Sequence, residues 1–272
     1  MIKIEELVSA AKEIRKDIIE IAYHAQGPSH PGPALSCADI VAALYFKFMK
    51  IDPANPQWEG RDRLVLSKGH ACPAIYAALA ERGYFDKNLL TTVRRLNSKL
   101  QGHPDMNKTP GIDITSGSLG NGLSLGLGIA LAFKIQKKQN KVYVILGDGE
   151  LQEGMIWEAA LAAPKLRIDN LIAIIDNNHF QSCGCTDEIQ SIEPLQRKWE
   201  SFGWKVFEMN GHNMYDIVNT LEMAVNYRGQ PSVVIAHTVK GKGISFMEND
   251  NFWHQKVPTK EQYEMALNQL NA

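Results

Sequence analysis

The chain reads as an α/β protein with a mostly parallel central sheet and helices on both faces. Two observations predict this. The runs Val142-Tyr143-Val144-Ile145-Leu146 and Leu171-Ile172-Ala173-Ile174-Ile175 are short, wholly apolar and β-rich, as expected of strands buried on both faces. Strand-like and helix-like segments also alternate through the second half, which is the pattern of a parallel sheet under helical layers. The 272 residues are 44% hydrophobic and 22% charged, enough for a large core.

Residues 4–25 predict an amphipathic helix, with Ile4, Leu7, Val8, Ala11, Ile14, Ile18, Ile21 and Ala22 on one broad face. A Pro- and Gly-rich loop follows over 27–33, and Ser36 is expected to cap a helix reaching about Met49. Further helices are expected over 69–83 and 88–97. A Gly- and Ser-rich loop over 111–126 then runs into a small-residue helix ending near Gln136. The remaining order is strand 141–147, helix 153–166, strand 171–177, strand 204–209, helix 214–226, strand 232–239 and helix 259–270. No linker interrupts the pattern, so one domain over 1–272 is the expectation.

A formal net charge of −1 supplies no basic field for nucleic acid or an anionic membrane. No apolar run is long enough to span a bilayer, and the first residues do not read as a signal peptide. Cys37, Cys72, Cys183 and Cys185 match no common zinc spacing, and a disulfide scaffold is not expected at this size. Reduced thiols in a cytoplasmic protein are the expectation. Cys183-Gly184-Cys185 has the look of a redox pair, but an inert loop is the simpler reading.

Chemistry concentrates where two strand-like runs end. Gly147-Asp148-Gly149 lets the backbone turn sharply and presents a hard carboxylate at a strand's carboxyl end, where open α/β sheets bind ligands. The second run delivers Asp176, Asn177 and Asn178 in the same way. If the strands are neighbours, Asp148 and Asn178 share a cation. Oxygen donors suit Mg²⁺, with Ca²⁺ as a substitute, and Mg²⁺ is usually held together with substrate phosphate. Each tripeptide alone reads equally well as a tight turn.

The segment from Gly147-Asp148-Gly149-Glu150-Leu151-Gln152-Glu153-Gly154 to Asp176-Asn177-Asn178 resembles the diphosphate-binding motif of thiamine diphosphate enzymes, and of the transketolase family in particular. His30-Pro31-Gly32, Leu66-Ser67-Lys68-Gly69-His70-Ala71, Gly102-His103-Pro104, Thr115-Ser116-Gly117-Ser118-Leu119-Gly120-Asn121-Gly122 and Lys240-Gly241-Lys242-Gly243-Ile244 are similar to transketolase segments in the same order. The last of these, continuing to Glu248, resembles the amino-terminal subunit of a split transketolase.

The resemblance implies a thiamine diphosphate-binding fold and the transfer of a two-carbon ketol unit from a ketose to an aldose. By it, Asp148, Asn178 and the Phe180 carbonyl ligate the metal. Gly147 and Gly149 hold the diphosphate, and Gly117 and Leu119 contact the thiamine rings. His30, His70, His103 and His254 line the substrate channel, where donors and proton carriers near neutral pH are needed. His70 and His254 also approach the diphosphate. Glu153 and Glu158 are implied at an interface between subunits. Each has a plainer reading, since histidines and first-turn acids are common structural features. The pyrimidine-binding and C-terminal domains of the family are expected on a partner chain, in an α2β2 assembly.

Two departures stand out. Ser29-His30-Pro31-Gly32-Pro33-Ala34 replaces the family's Gly-His-Pro-Gly-Gly-Ser, and Gln255 follows His254 where the family has glycine. They open the sugar phosphate donor to forms other than xylulose 5-phosphate, including sulfonated or branched sugars. Three alternatives stay open: a 1-deoxyxylulose 5-phosphate synthase, the α subunit of a 2-oxo acid dehydrogenase, and a non-catalytic scaffold.

Overall fold

The computed structural model describes residues 2–272. Its centre is a five-stranded sheet. The strands are β1 (Arg63–Leu66), β2 (Val142–Gly147), β3 (Leu171–Asn177), β6 (Lys205–Asn210) and β7 (Ser232–His237). They lie in the order β1-β2-β3-β7-β6, and every pair is parallel. β4 (Phe180–Gln181) and β5 (Gly184–Cys185) form a separate antiparallel hairpin.

Both faces of the sheet are covered, and the alternation of side chains along each strand sorts the core into two halves. Tyr143, Ile145, Ile172, Ile174 and Val234 face one cluster. There they meet α1 (Ile4–His24), α2 (Pro31–Ser36), α3 (Ala38–Ala43), α4 (Cys72–Glu81), α9 (Met214–Asn226) and α10 (Lys260–Asn271). Val142, Val144, Leu146, Ala173, Ile175 and Val233 face the other, under α5 (Asn121–Ile135), α6 (Gly154–Lys165) and α8 (Leu195–Ser201). A short α7 (Thr186–Gln190) follows the hairpin. Each fully buried Val, Leu or Ile among them is worth about 1.5–3 kcal/mol, so the sheet is anchored on both faces.

Most expected elements appear within a residue or two of their predicted limits. The loop expected to run to 126 instead gives way to α5 at Asn121. Two further expectations fail. Ser36 does not cap a helix: it ends α2, which starts at Pro31 with His30 as its cap residue, and a separate α3 and a π-helical turn over Leu44–Phe48 follow. Pro31 and Pro33 suit a first turn, where the missing N–H groups have no intrahelical partner anyway. The expected helix over 88–97 shrinks to a 3₁₀ turn over Lys87–Thr92, because Arg94 and Asn97 take left-handed backbone angles. The edge strand β1 and the hairpin have no counterpart in the sequence pattern; both are too short to show a period.

A buried ion pair ties the first helix to the far edge of the sheet. Arg15 donates to both oxygens of Asp39, at 3.0 Å to Oδ1, and its Nε reaches the Lys242 carbonyl at 3.2 Å. His212, just past β6, bonds Asp39 through Nδ1 at 2.8 Å and accepts the Val239 N–H at Nε2, also at 2.8 Å. Burial opposes the Asp39 charge, but Arg15 and His212 outweigh it and hold the carboxyl below its ordinary range. Asp39→Ala strands the buried Arg15. It is expected to cost about 3–5 kcal/mol of unfolding free energy by urea titration, and a loss under about 1 kcal/mol would refute that account.

Candidate active site

The loops at the carboxyl ends of β1, β2, β3 and β7 converge on one cavity of about 360 Å³. Its walls include His30, His70, His103, His254, Gly117, Leu119, Gly147, Asp148, Gly149, Glu153, Asn178 and Phe180. These residues come from segments spread over most of the chain. β2 and β3 are indeed neighbours, with Gly147 in register with Asp176, so Asp148 and Asn178 emerge side by side. Glu158 is the one candidate that does not reach the cavity: it sits on α6, exposed, as is Glu153.

Asp148 is buried. Its Oδ1 accepts the Gly149 N–H at 2.7 Å, and its Oδ2 accepts the His179 N–H. Burial and the nearby Asp176 charge push its carboxyl up to about 7, and among the described residues no side-chain cation sits directly on it. A carboxylate keeps spare lone pairs after two such bonds. The Asn178 amide is aimed by its own donors, which reach Asp176 Oδ2 at 3.2 Å and Ser36 Oγ at 3.3 Å. Its Oδ1 therefore turns the other way, where it takes the Phe180 N–H at 3.0 Å. A hard cation beside Asp148, Asn178 Oδ1 and the Phe180 carbonyl would find oxygen donors and relieve the buried carboxylate, so these residues fit Mg²⁺.

Two lysines that sequence reasoning does not single out are fully buried here. Lys68 forms an ion pair with Asp176 and donates to the Pro33 carbonyl at 3.0 Å. Lys240 donates to Asn251 Oδ1 at 2.6 Å and to His254 Nδ1 at 2.9 Å. That contact leaves the His254 ring proton on Nε2. Burial pulls the Lys240 ammonium down to about 8, against the attraction of Asp148. It lies over the Phe180 ring, 5.6 Å from its centre. Both lysines stand in the motif segments, but charged residues in a loop give no sign of burial. Glu150, also missed, accepts from Ser67, from Gly120 N at 2.9 Å and from Gly147 N at 3.0 Å. It locks the β2 turn to the loop before α5.

Gly149 must be a glycine. A Cβ there would stand 2.6 Å from the Gln181 side chain. Its N–H belongs to a short 3₁₀ turn leading into α6, a favourable place for an anion.

The four histidines form a ring-lined channel. His30 and His70 centroids are 5.2 Å apart, His70 and His254 5.2 Å, His30 and His254 5.7 Å, and His30 and His103 6.3 Å. Burial, followed by the neighbouring cations and rings, lowers all four: His30 to about 4, His254 to about 3, His70 well below its ordinary value, and His103 in the same direction. Without ligand they are neutral hydrogen-bonding groups at pH 7, not the neutral-pH proton carriers that their residue type suggests. Among the described residues no helix is long and apolar enough to cross a membrane.

Residues 5–266 match the transketolase thiamine diphosphate binding domain. The chain belongs to the transketolase family. It is 48% identical to one subunit of a 6-deoxy-6-sulfo-D-fructose transketolase from a Clostridium species, over 97% of this chain and 96% of that one. It is 43% identical to one subunit of an apulose-4-phosphate transketolase from Phocaeicola vulgatus, over 99% and 95%. The solved transketolase of Leishmania mexicana superposes with a TM-score of 0.90 at 28% identity, covering 100% of this chain and 42% of that one. The chain thus spans about two fifths of a full-length transketolase and nearly all of the two subunits.

The geometry sets two expectations. Removing the Lys68 charge leaves Asp176 buried without its cation, so Lys68→Met is expected to cost about 3–5 kcal/mol in urea unfolding. Adding Asp176→Asn to Lys68→Met should recover much of that loss, and strictly additive costs would disprove the pairing. The histidines give a pH dependence. Their folded-state values lie below the unfolded value near 6.5, so their contribution is complete above that pH and is lost as pH falls through 6.5 toward about 4 for His30 and about 3 for His254. The ligand-free chain should lose on the order of 2–4 kcal/mol of stability between about pH 6.5 and about pH 5. His30→Asn with His254→Asn should flatten that slope; an unchanged slope would rule these residues out as its source.

Proposed function

We propose that this chain is the amino-terminal, diphosphate-binding subunit of a two-component transketolase. In this reading it transfers a two-carbon ketol unit from a ketose to an aldose with thiamine diphosphate and Mg²⁺, together with a carboxyl-terminal partner in an α2β2 assembly in the cytoplasm. The observation that carries the reading is the placement of Asp148, Asn178 and the Phe180 carbonyl beside Gly149 and two buried lysines, under a channel of four histidines. Relatives that are themselves named as subunits, and are covered almost end to end, support a split enzyme. The whole chain forms the diphosphate-binding domain in this proposal, and the pyrimidine-binding and C-terminal domains belong to the partner.

Bound thiamine diphosphate supplies a nucleophilic carbon that carries the ketol unit between sugars. The residues here bind and orient. Asp148, Asn178 and the Phe180 carbonyl would hold the metal; the Gly149 N–H, taken by Asp148 Oδ1 here, would turn to the diphosphate, and Lys240, behind Phe180, would add positive charge nearby. Gly117 and Leu119 flank the ring system. His30, His70, His103 and His254, neutral and closely packed, donate to and accept from sugar hydroxyls and the carbonyl, and exclude water from the channel. His254 presents Nε2–H because Lys240 occupies its Nδ1.

An exposed apolar surface supports the partner. Leu125 and Met155 share a groove with Gly117 and Ser118 beside the cavity, and Leu119 and Leu161 are exposed as well. The four free cysteines and the lack of a membrane-crossing helix among the described residues support a cytoplasmic home. For the substrate, Pro33 lines the channel in place of the usual glycine. Relatives named for a sulfonated hexulose and for apulose 4-phosphate favour an anionic, less common ketose.

The test is reconstitution. The chain with its partner, thiamine diphosphate and Mg²⁺ should transfer two-carbon units between sugars, and the chain alone should not. Full turnover by the chain alone would overturn the partner requirement, and pyruvate decarboxylation would indicate a different enzyme. Asp148→Ala in the complex should weaken Mg²⁺-dependent thiamine diphosphate binding by about 10²-fold or more, in line with loss of a direct ligand. Unchanged turnover in that variant would favour a scaffold role.

A further inference from the structure

The hairpin after β3 carries two thiols that the cofactor reading does not use. Phe180 pairs with Cys185 and Gln181 with Gly184, so Ser182 and Cys183 form a two-residue turn. Cys183 is exposed and Cys185 partly so, and both are free thiols. The other two cysteines differ: Cys37 and Cys72 are buried, and burial raises their thiols to about 11 and about 12. Reaction with a water-borne oxidant is thus directed to the hairpin.

Chain connectivity keeps the Cα atoms of Cys183 and Cys185 within about 7 Å of each other. A disulfide closes over roughly 4.4–6.8 Å, so only a small contraction is needed. Gly184 lies between them at φ +149°, a conformation that a side chain rarely adopts, and it has no Cβ to obstruct rotation. A bond closed at the wide end of its range in so small a ring is strained, and strained exposed disulfides are the readily reduced ones.

The hairpin is wired to the cofactor cavity. Phe180, Gln181 and Ser182 line it. The Gln181 side chain packs directly over Gly149. The Ser182 carbonyl accepts from Asn251 Nδ2 at 3.0 Å, and Asn251 Oδ1 holds Lys240 at 2.6 Å. A shift of the turn therefore reaches the metal-side carbonyl, the diphosphate turn and the buried lysine together.

We propose that Cys183-Gly184-Cys185 is a reversible redox site, closed by a small disulfide such as oxidised glutathione, and that closure loosens the cofactor site. The Cys183 thiolate attacks one sulfur of the small disulfide and expels one thiolate, giving a mixed disulfide. The Cys185 thiolate then attacks the Cys183 sulfur and expels the second. Two protein thiols are oxidised, one small disulfide is reduced to two thiols, and the two protons released pass to the departing thiolates. The functional half rests on the cavity being a thiamine diphosphate site; the thiol chemistry does not.

The test equilibrates the full chain with graded ratios of oxidised to reduced glutathione. Peptide mass mapping should show an internal Cys183–Cys185 bond that dithiothreitol reverses, with Cys37 and Cys72 untouched. Cys185→Ser should halt at a stable Cys183–glutathione adduct. Persistence of that adduct in the native chain, or no reaction, would overturn the redox site. With the partner present, calorimetry with thiamine diphosphate and Mg²⁺ should show at least tenfold weaker binding after oxidation. Cys183→Ser should bind equally well under both conditions. Equal binding by the oxidised native complex would refute the coupling. If the reduced native complex binds no thiamine diphosphate, the cofactor reading falls and takes the coupling with it, while the mass data still decide the disulfide.

Discussion

The site depends on the buried charge of Asp176. This carboxylate is fully enclosed at the end of the central strand β3, and burial alone would neutralise it. Lys68 offsets that cost, and Ser36, Asn178 and Thr238 donate to its remaining lone pairs. Those donors belong to the loop after β1, to α2, to β3's own exit and to the residue after β7. One charge thus holds four segments in register. It turns the Asn178 amide so that its oxygen faces the Phe180 backbone. Through Lys68, which also donates to the Pro33 carbonyl, and through Ser36 at its end, it fixes the helix whose cap is His30. A pair of this kind adds little net stability compared with an apolar core, but its geometry is unforgiving, because any member left unpaired is a buried charge.

Around that hub the cavity separates two tasks. One side of it is charged: burial and the Asp176 charge push Asp148 toward neutrality, and burial does the same to Lys240, which sits just behind the lining over the Phe180 ring. Each shift would relax beside a ligand of the opposite charge, so this side of the cavity suits a ligand carrying both signs. Its upper wall is uncharged, because the histidines are buried beside lysines and beside each other. Neutral imidazoles suit a sugar, whose hydroxyls need donors and acceptors at fixed angles.

Much of this was legible from residues alone. The β2 and β3 runs were plain because a strand buried on both faces must be apolar without interruption. The turns after them were plain because a ligand approached by backbone requires glycine and small polar groups. Three of the cavity histidines, His30, His70 and His103, could be picked from the eight in the chain by their Gly and Pro neighbours in motif segments, whereas His254, between Trp253 and Gln255, rested on the resemblance alone. His24, His179, His212 and His237 match no family segment, although His212 also follows a glycine, and none of them lines the cavity. Ser36 misled, since a serine before an apolar run is a good cap by local rules. Its hydroxyl instead serves Asp176, 140 residues away. Glu158 carries no local mark distinguishing it from any exposed helix acid; it lies exposed on α6 outside the cavity, where a residue expected at an interface can lie.

The sequence by itself determined four of the five sheet strands, β2, β3, β6 and β7, most of the helices between them, and the glycine turn after β2, because periodicity, glycine and proline act over a few residues. The tertiary structure decided what those residues are chemically. Whether Lys68 is a surface cation or the buried partner of Asp176, whether the histidines carry charge, and which tautomer His254 adopts all depend on neighbours brought from distant segments. Desolvation and charge pairing are properties of the enclosed space, and that space exists only once β1, β2, β3 and β7 lie side by side.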